Sequence, residues 1–291
     1  MSTNIVKPIT FPIPGKADSS IGALLLESGK ITPENAENII RLQKELNIRF
    51  GEAAIRLGFV NIADIQQILA QQFDYPYLQK GEEKFSSFLV AAYEPFNAQV
   101  ETLRAIRSQL MLRWISRGCK AMVILGIEPG DGTSLFTANL GVVFSQLGEH
   151  TLLVDANLRS PNQHDIFDIQ ERRGLSDVLA GRAEADVISK INSFVDLSVL
   201  TAGTLAPNPQ ELLSRAAFRN LNNQLEARYD VVLYDSTAFN AGSDALAIAA
   251  VAGGVVLVAR KNKTALKDID NLVEKIKSVN AEVIGTVLLE F

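Results

Sequence analysis

From residue 98 onward, short runs that are almost wholly apolar alternate with longer amphipathic stretches. Ala121–Leu125, Thr151–Val154, Leu197–Leu200, Val231–Tyr234, Val255–Val258 and Val283–Leu288 read as buried strands. Helical spacing runs through Gln99–Arg117, Ser134–Leu147, Gln210–Arg228 and Ala265–Val279. Strands that are apolar on both faces and joined by helical crossovers predict an α/β fold: a mainly parallel sheet with helices on both faces. Such sheets place ligands beyond the carboxyl ends of their strands. The longest apolar run, Ala245–Ala259, is broken by Gly253 and Gly254. It reads as helix, turn and strand rather than as a membrane span.

The first part of the chain follows another pattern. Ser20–Gln43 and Arg49–Gln72 superpose at an offset of 29 residues, pairing Gly22 with Gly51, Gly29 with Gly58, Ile39 with Ile68 and Gln43 with Gln72. Each copy predicts a short helix, a glycine-stopped turn, an N-cap and a second helix, with Thr32 and Pro33 capping the second helix of the first copy. Units this short bury their apolar stripe only by packing on each other. The expected organisation is a flexible leader over 1–19, a small helical tandem-repeat domain over 20–77, a linker over 78–97 and the α/β domain over 98–291.

Composition narrows the chemistry. A net charge of -5 and a pI near 5.3 exclude a nucleic-acid protein working through a broad basic surface. A single cysteine, Cys119, excludes a disulfide framework, and two histidines leave little for a His-based metal site. The polar, proline-broken first residues show no signal peptide, so a cytoplasmic location is expected.

The candidate chemistry gathers at three strand ends. After the first strand comes Ile127-Glu-Pro-Gly-Asp-Gly-Thr-Ser134 and then a helix, the setting in which backbone N–H groups cradle phosphates. Gly130 and Gly132 permit close approach of an oxyanion, and Ser134 offers a hydroxyl to magnesium. Thr133 stands where the G-K-[ST] pattern has lysine, and read alone the loop is also compatible with a helix-entry turn. Asp155 and Asp235 each end an apolar strand, which suits a metal or its water and equally a helix-capping carboxylate.

With these residues in place, the chain from about Leu89 to the end resembles the bacterial tyrosine kinases (BY-kinases) that accompany chain-length determinants of exopolysaccharide synthesis, the EpsG type in particular. The loop PGDGTS resembles their Walker A, LLVDANLR their Walker A′ and VVLYDS their Walker B. Glu101-Thr-Leu-Arg104-Ala-Ile-Arg107 is similar to the family's E-x-x-R-x-x-R helix, and Ala202–Leu213 to its A-G-x-x-x-P-N-P-x-E-L-L segment.

The resemblance implies a MinD/ParA-like P-loop fold and an ATP-binding regulator of polysaccharide chain length and export. ATP phosphates would lie on Gly130, Asp131, Gly132, Thr133 and Ser134, with Mg2+ held by Ser134, Asp155 and Asp235. Asp155 would act as base or metal partner, and Arg159 would supply part of the missing charge. Glu101, Arg104 and Arg107 would dock on a neighbouring subunit in a ring. The implied partner is a membrane chain-length determinant, which would hold the protein at the inner membrane. The N-terminal repeat resembles the N-terminal domain of type II secretion and type IV pilus ATPases, implying a cyclic di-GMP site at Arg49, Gly51 and Gln72, although Ser20 stands where the first copy would carry arginine.

Other positions also depart from the kinase pattern. Asn157 replaces a second Walker A′ aspartate, Leu289 an asparagine at the last strand, and Ser236-Thr-Ala-Phe a Thr-Pro-Pro. The last tyrosine is Tyr234, so the family's tyrosine cluster is absent from the end of this sequence. Tyr229 and Tyr234 flank a buried strand and read as core. The missing lysine opens the alternative of a pseudokinase scaffold, without phosphoryl transfer.

Overall fold

The apolar runs of the second half pair into one sheet. In this computed structural model, which describes residues 21–62, 64, 65, 68, 69, 78, 85–194 and 196–291, the chain falls into two units, 1–75 and 76–291. The strands of the second unit are β1 (Ala121–Gly126), β2 (Thr151–Asp155), β3 (Ser189–Lys190), β4 (Leu197–Leu200), β5 (Val231–Asp235), β6 (Gly254–Arg260) and β7 (Glu282–Leu289). They lie in the order β3-β4-β2-β5-β1-β6-β7, parallel throughout except for β3 at the edge. This is the mainly parallel sheet, covered by helices on both faces, that the alternating pattern predicts.

Period-two alternation explains why the strands read as continuous apolar runs. Met122, Ile124, Leu153, Val231, Leu233, Val256 and Val258 face one side of the sheet. Ala121, Val123, Leu152, Val154, Val232, Tyr234, Val255 and Leu257 face the other. Helices bury both sides, so neither register needs a polar residue.

The first unit holds helices α1 (Ile21–Glu27), α2 (Pro33–Leu46) and α3 (Phe50–Arg56). In the second unit follow α4 (Val90–Tyr93), α5 (Ala98–Arg113), α6 (Thr133–Ser145), α7 (Gln163–Ile166), α8 (Leu175–Leu179), α9 (Pro209–Ser214), α10 (Ala216–Arg228), α11 (Asp244–Ala252) and α12 (Leu266–Ser278). Helix α6 is apolar nearly all round because it lies between the sheet and α5. Arg215 adopts an extended conformation and splits the expected Gln210–Arg228 helix into α9 and α10.

The segment 78–97, expected as a linker, is in its described part built into the second unit. Leu89, Ala91 and Ala92 are fully buried, and Asn139 of α6 accepts the Ala91 N–H at 2.9 Å while donating to the Phe88 carbonyl at 3.2 Å. Phe85 packs against Phe167 and Phe194, with ring centroids 5.9 and 6.2 Å away. A four-residue helix is too short to show a period, which is why the sequence pattern left it unassigned.

In the first unit the 29-residue offset is visible in three dimensions. Gly29 and Gly58 both turn the chain with positive φ, 67° and 71°. Leu25 and Ala54, Ile31 and Val60, and Ile39 and Ile68 are paired core positions, each buried. Thr32 caps α2 by accepting the Asn35 N–H at 3.2 Å, and Asn61 and Asp64 exchange side-chain-to-backbone bonds of 2.9 Å at the equivalent place. The leader 1–19 lies outside the described residues. Among the described residues no helix is long and apolar enough to cross a membrane.

Candidate functional site

Three loops meet at the carboxyl edge of the sheet: Ile127–Gly132 after β1, Ala156–Asn162 after β2 and Ser236–Ser243 after β5. Their strands are neighbours, and Asp155 and Asp235 stand directly opposite one another in the β2–β5 register. Both carboxylates are fully buried.

Each is held differently. Asp155 Oδ2 accepts the backbone N–H groups of Asn162 and Gln163, both at 3.0 Å, and Oδ1 accepts that of Asn157 at 3.2 Å. Asp235 Oδ2 accepts from Gln163 Nε2 at 2.7 Å, and the Ser134 hydroxyl also bonds this carboxyl. Its Oδ1 has no hydrogen-bond partner among the described residues. Burial and the facing Asp235 charge push the Asp155 carboxyl well above the ordinary value, against the pull of its three N–H donors. Burial likewise raises Asp235, to about 6, with Gln163 and Ser134 opposing the rise. Two buried carboxylates this close favour sharing a proton or binding a cation.

The loop after β1 is shaped by its glycines and by Asp131. Gly132 has φ 81° and enters α6 from the left-handed region. Asp131 is buried and accepts the Glu128 N–H at 2.8 Å on Oδ2. Its Oδ1 lies 3.4 Å from Lys263 Nζ, in the turn after β6. The Thr133 hydroxyl folds back against Gly126, which has room for it only because it lacks a Cβ. A neutral, inward-turned threonine thus occupies the lysine position.

Beside Gly132 opens a cavity of about 580 Å³, lined chiefly by apolar groups that include Leu135, Phe136, Leu288, Leu289 and Phe291. Leu289, which stands in place of the asparagine of the kinase pattern, contributes only hydrocarbon there.

The arrangement draws Gly130, Asp131, Gly132, Thr133, Ser134, Asp155 and Asp235 to one edge. Gln163 joins them: its amide also donates to the Ser134 carbonyl at 3.0 Å, so its side chain links Ser134 to the Asp235 carboxyl while its backbone N–H holds Asp155. The sequence reading missed Gln163 and Lys263. Position beyond a strand end is the only trace either leaves, Lys263 past β6 and Gln163 in the segment past Asp155.

Other expected residues are engaged in other contacts or lie elsewhere. Arg159 pairs with the buried Asp244 at 2.5 and 3.1 Å. Asn157 accepts from Ser160 N at 3.1 Å and from the Thr237 hydroxyl at 3.0 Å, tying the loop after β2 to that after β5. On α5, Glu101 is exposed and pairs with Arg104, whose side chain is mostly covered. Arg107, expected at a subunit contact, is buried within the single chain and donates to the Val143 carbonyl at 2.7 Å, clamping α5 onto α6. In the first unit Arg49 is exposed at the head of α3, and Gly51 packs under Ile65. Gln72 lies outside the described residues.

A mainly parallel sheet with a glycine-rich loop between β1 and a helix, and aspartates ending the two strands beyond it in the sheet, β5 and β2, defines a P-loop protein. A family model described as cellulose biosynthesis protein BcsQ matches residues 119–268. The chain is 33% identical over 200 residues to the tyrosine-protein kinase YwqD of Bacillus subtilis (strain 168), spanning 69% of this chain and 84% of the relative. It is 32% identical over 198 residues to the putative tyrosine-protein kinase CapB of Staphylococcus aureus, spanning 67% and 86%. The solved kinase domain of Escherichia coli tyrosine kinase ETK superposes with a TM-score of 0.68 at 29% identity, covering 75% of this chain and 85% of that one. The chain belongs to the BcsQ-type P-loop family and, through these relatives, to the family of bacterial tyrosine kinases.

Proposed function

We propose that the second unit binds a magnesium nucleotide, ATP foremost, on the loop Gly130–Ser134 and acts as a tyrosine-kinase-family regulator of exopolysaccharide chain length and export. The observation that carries this reading is the Asp155–Asp235 pair, opposed in register, fully buried and bonded to Ser134. An unpaired buried carboxylate oxygen beside a hydroxyl suits a hydrated divalent cation. Bound magnesium would supply charge neutralisation at the phosphates. Ser134 and Asp235 would hold it, Gln163 would orient both, and Asp155 would be the base toward an incoming hydroxyl. The apolar cavity beside Gly132 has the volume for a purine ring. A membrane chain-length determinant would be the partner that brings the protein to the inner membrane, and self-association would run through the Glu101 face of α5.

Calorimetric titration with Mg-ATP and Mg-ADP tests the reading. Micromolar binding that depends on magnesium supports it, and phosphotyrosine formation on a partner's cytoplasmic segment would make it an enzyme. No detectable heat would overturn it.

Thr133 favours a second reading, a scaffold that senses nucleotide or assembles without transferring phosphate. Phosphoryl transfer depends on neutralising charge at the phosphates, and a neutral side chain at this place costs on the order of 10²–10³ in rate. Binding without turnover distinguishes it. For the first unit, a cyclic di-GMP response would rest on exposed Arg49, and its loss in Arg49→Ala is the corresponding check.

A further inference from the structure

The phosphate loop contains a buried carboxylate, Asp131, and lacks its usual lysine. An anionic ligand entering such a loop needs a positive charge from outside it.

The cations near this edge are mostly committed. Arg159 is held on Asp244 by two bonds. Arg260 donates to the Phe291 carbonyl at 2.8 Å and lies 4.2 Å over the Phe291 ring. Lys261 contacts both oxygens of Glu290 at 2.8 Å. Lys263 differs: its Nζ lies 3.4 Å from Asp131 Oδ1, and its side chain is 43% exposed. That separation exceeds the 2.7–2.9 Å usual for a charge-assisted bond, so the ammonium stands beside the loop without being locked to it.

The root of the side chain is fixed. Asn262 takes a left-handed conformation, the Lys263 and Thr264 N–H groups both donate to the Arg260 carbonyl, and the Thr264 hydroxyl accepts the Arg260 N–H at 2.9 Å. This turn ends β6, the strand paired with β1, so Lys263 rises from the strand next to the phosphate loop at the ligand edge. A compact ammonium on a four-carbon stem can leave a carboxylate for a phosphate without backbone movement.

We propose that Lys263 is the phosphate-binding cation of this site, taking over from the turn after β6 the charge that Thr133 cannot supply, and that its ligand is the phosphate chain of a nucleoside di- or triphosphate. This rests on the reading that the loop binds nucleotide.

The test is calorimetric titration of the full-length protein with Mg-ADP and Mg-ATP in the wild type, Lys263→Met, Thr133→Lys and the double variant. Methionine keeps the stem and removes the charge. The expected result is a loss of about tenfold or more in affinity for Lys263→Met, the size of one charged hydrogen bond, with recovery when Thr133→Lys is added. The wild type should also show a steeper fall of affinity with salt than Lys263→Met. Equal binding by wild type and Lys263→Met overturns the assignment and leaves the nucleotide reading standing. A loss that Thr133→Lys does not restore, accompanied by a lowered unfolding temperature, makes Lys263 a structural clamp on Asp131 and also overturns it. Absence of binding by the wild type overturns both this assignment and the nucleotide reading.

Discussion

Asp155 and Asp235 face each other across β2 and β5, one saturated by three backbone N–H groups and the other left with a bare oxygen. The asymmetry divides their work. Asp155 is fixed in place by the loop that follows it, and Asp235 keeps capacity for a ligand.

A pH dependence follows. Both carboxyls are raised by burial, Asp235 to about 6, so the folded protein holds a proton that the unfolded chain has released. Stability from this pair is therefore greatest below the ordinary carboxylate value near 4 and declines as pH rises through about 6. Thermal unfolding from about pH 4 to pH 8 without magnesium should show that decline, and the decline should be shallower in an Asp235→Asn background, where buried Asp155 alone remains raised. At neutral pH Asp235→Asn should be more stable than the wild type. Magnesium should restore stability to the wild type alone, and a wild-type profile parallel to the variant's would refute the shared-proton account.

Gln163→Leu removes the side chain that bonds Ser134 and Asp235 together and keeps the backbone N–H that holds Asp155. Its loss removes the Gln163 amide bonds to the Asp235 carboxylate and to the Ser134 carbonyl, at a cost of about 1–3 kcal/mol in folding stability. Magnesium-dependent nucleotide affinity should fall with it, whereas affinity measured in excess chelator should not change. Equal losses in both conditions would mean that Gln163 supports the fold without shaping the metal position.

The strand ends were legible because both faces of the sheet are covered: an apolar run stopped by Asp155 or Asp235 marks where the strand ends, although a helix-capping carboxylate leaves the same trace. The repeat was legible because Gly29 and Gly58 share one backbone requirement. Arg107 was not. Two steps of three residues along a helix turn it about 120° from Glu101, so the E-x-x-R-x-x-R spacing does not keep its ends on one face. Which of those faces meets α6 is decided by packing. The two-residue β3, the four-residue α4 and the break at Arg215 carry too little pattern to be seen, and Lys263 comes to Asp131 only through the pairing of β6 with β1.

Arg107→Met should accordingly act on stability. It removes a buried bond to the Val143 carbonyl and should cost about 1–3 kcal/mol in chemical unfolding. Its oligomeric state by light scattering should match the wild type's. Glu101→Lys, at the exposed end of the same helix, should do the reverse, shifting any assembly toward monomer with stability within about 0.5 kcal/mol. If Arg107→Met dissociates the assembly at unchanged stability, α5 uses its inward arginine in contacts between subunits.

Tyr234 tests whether the strand tyrosine is substrate or core. It is fully buried between β5 and α10, packs edge-on against Phe218 at 5.6 Å, and its hydroxyl donates to Asn222 Oδ1 at 2.8 Å. Burial pushes the phenol above its ordinary value, so neither a kinase nor a base reaches it without unfolding the strand. Tyr234→Phe should lower stability by about 1 kcal/mol, the net value of one neutral hydrogen bond together with the unpaired Asn222 amide. Any phosphotyrosine signal from the purified protein should be unchanged in this variant. Loss of that signal at full folding would show that β5 opens to solvent, and the Walker B strand would then have to be treated as a moving part of the site.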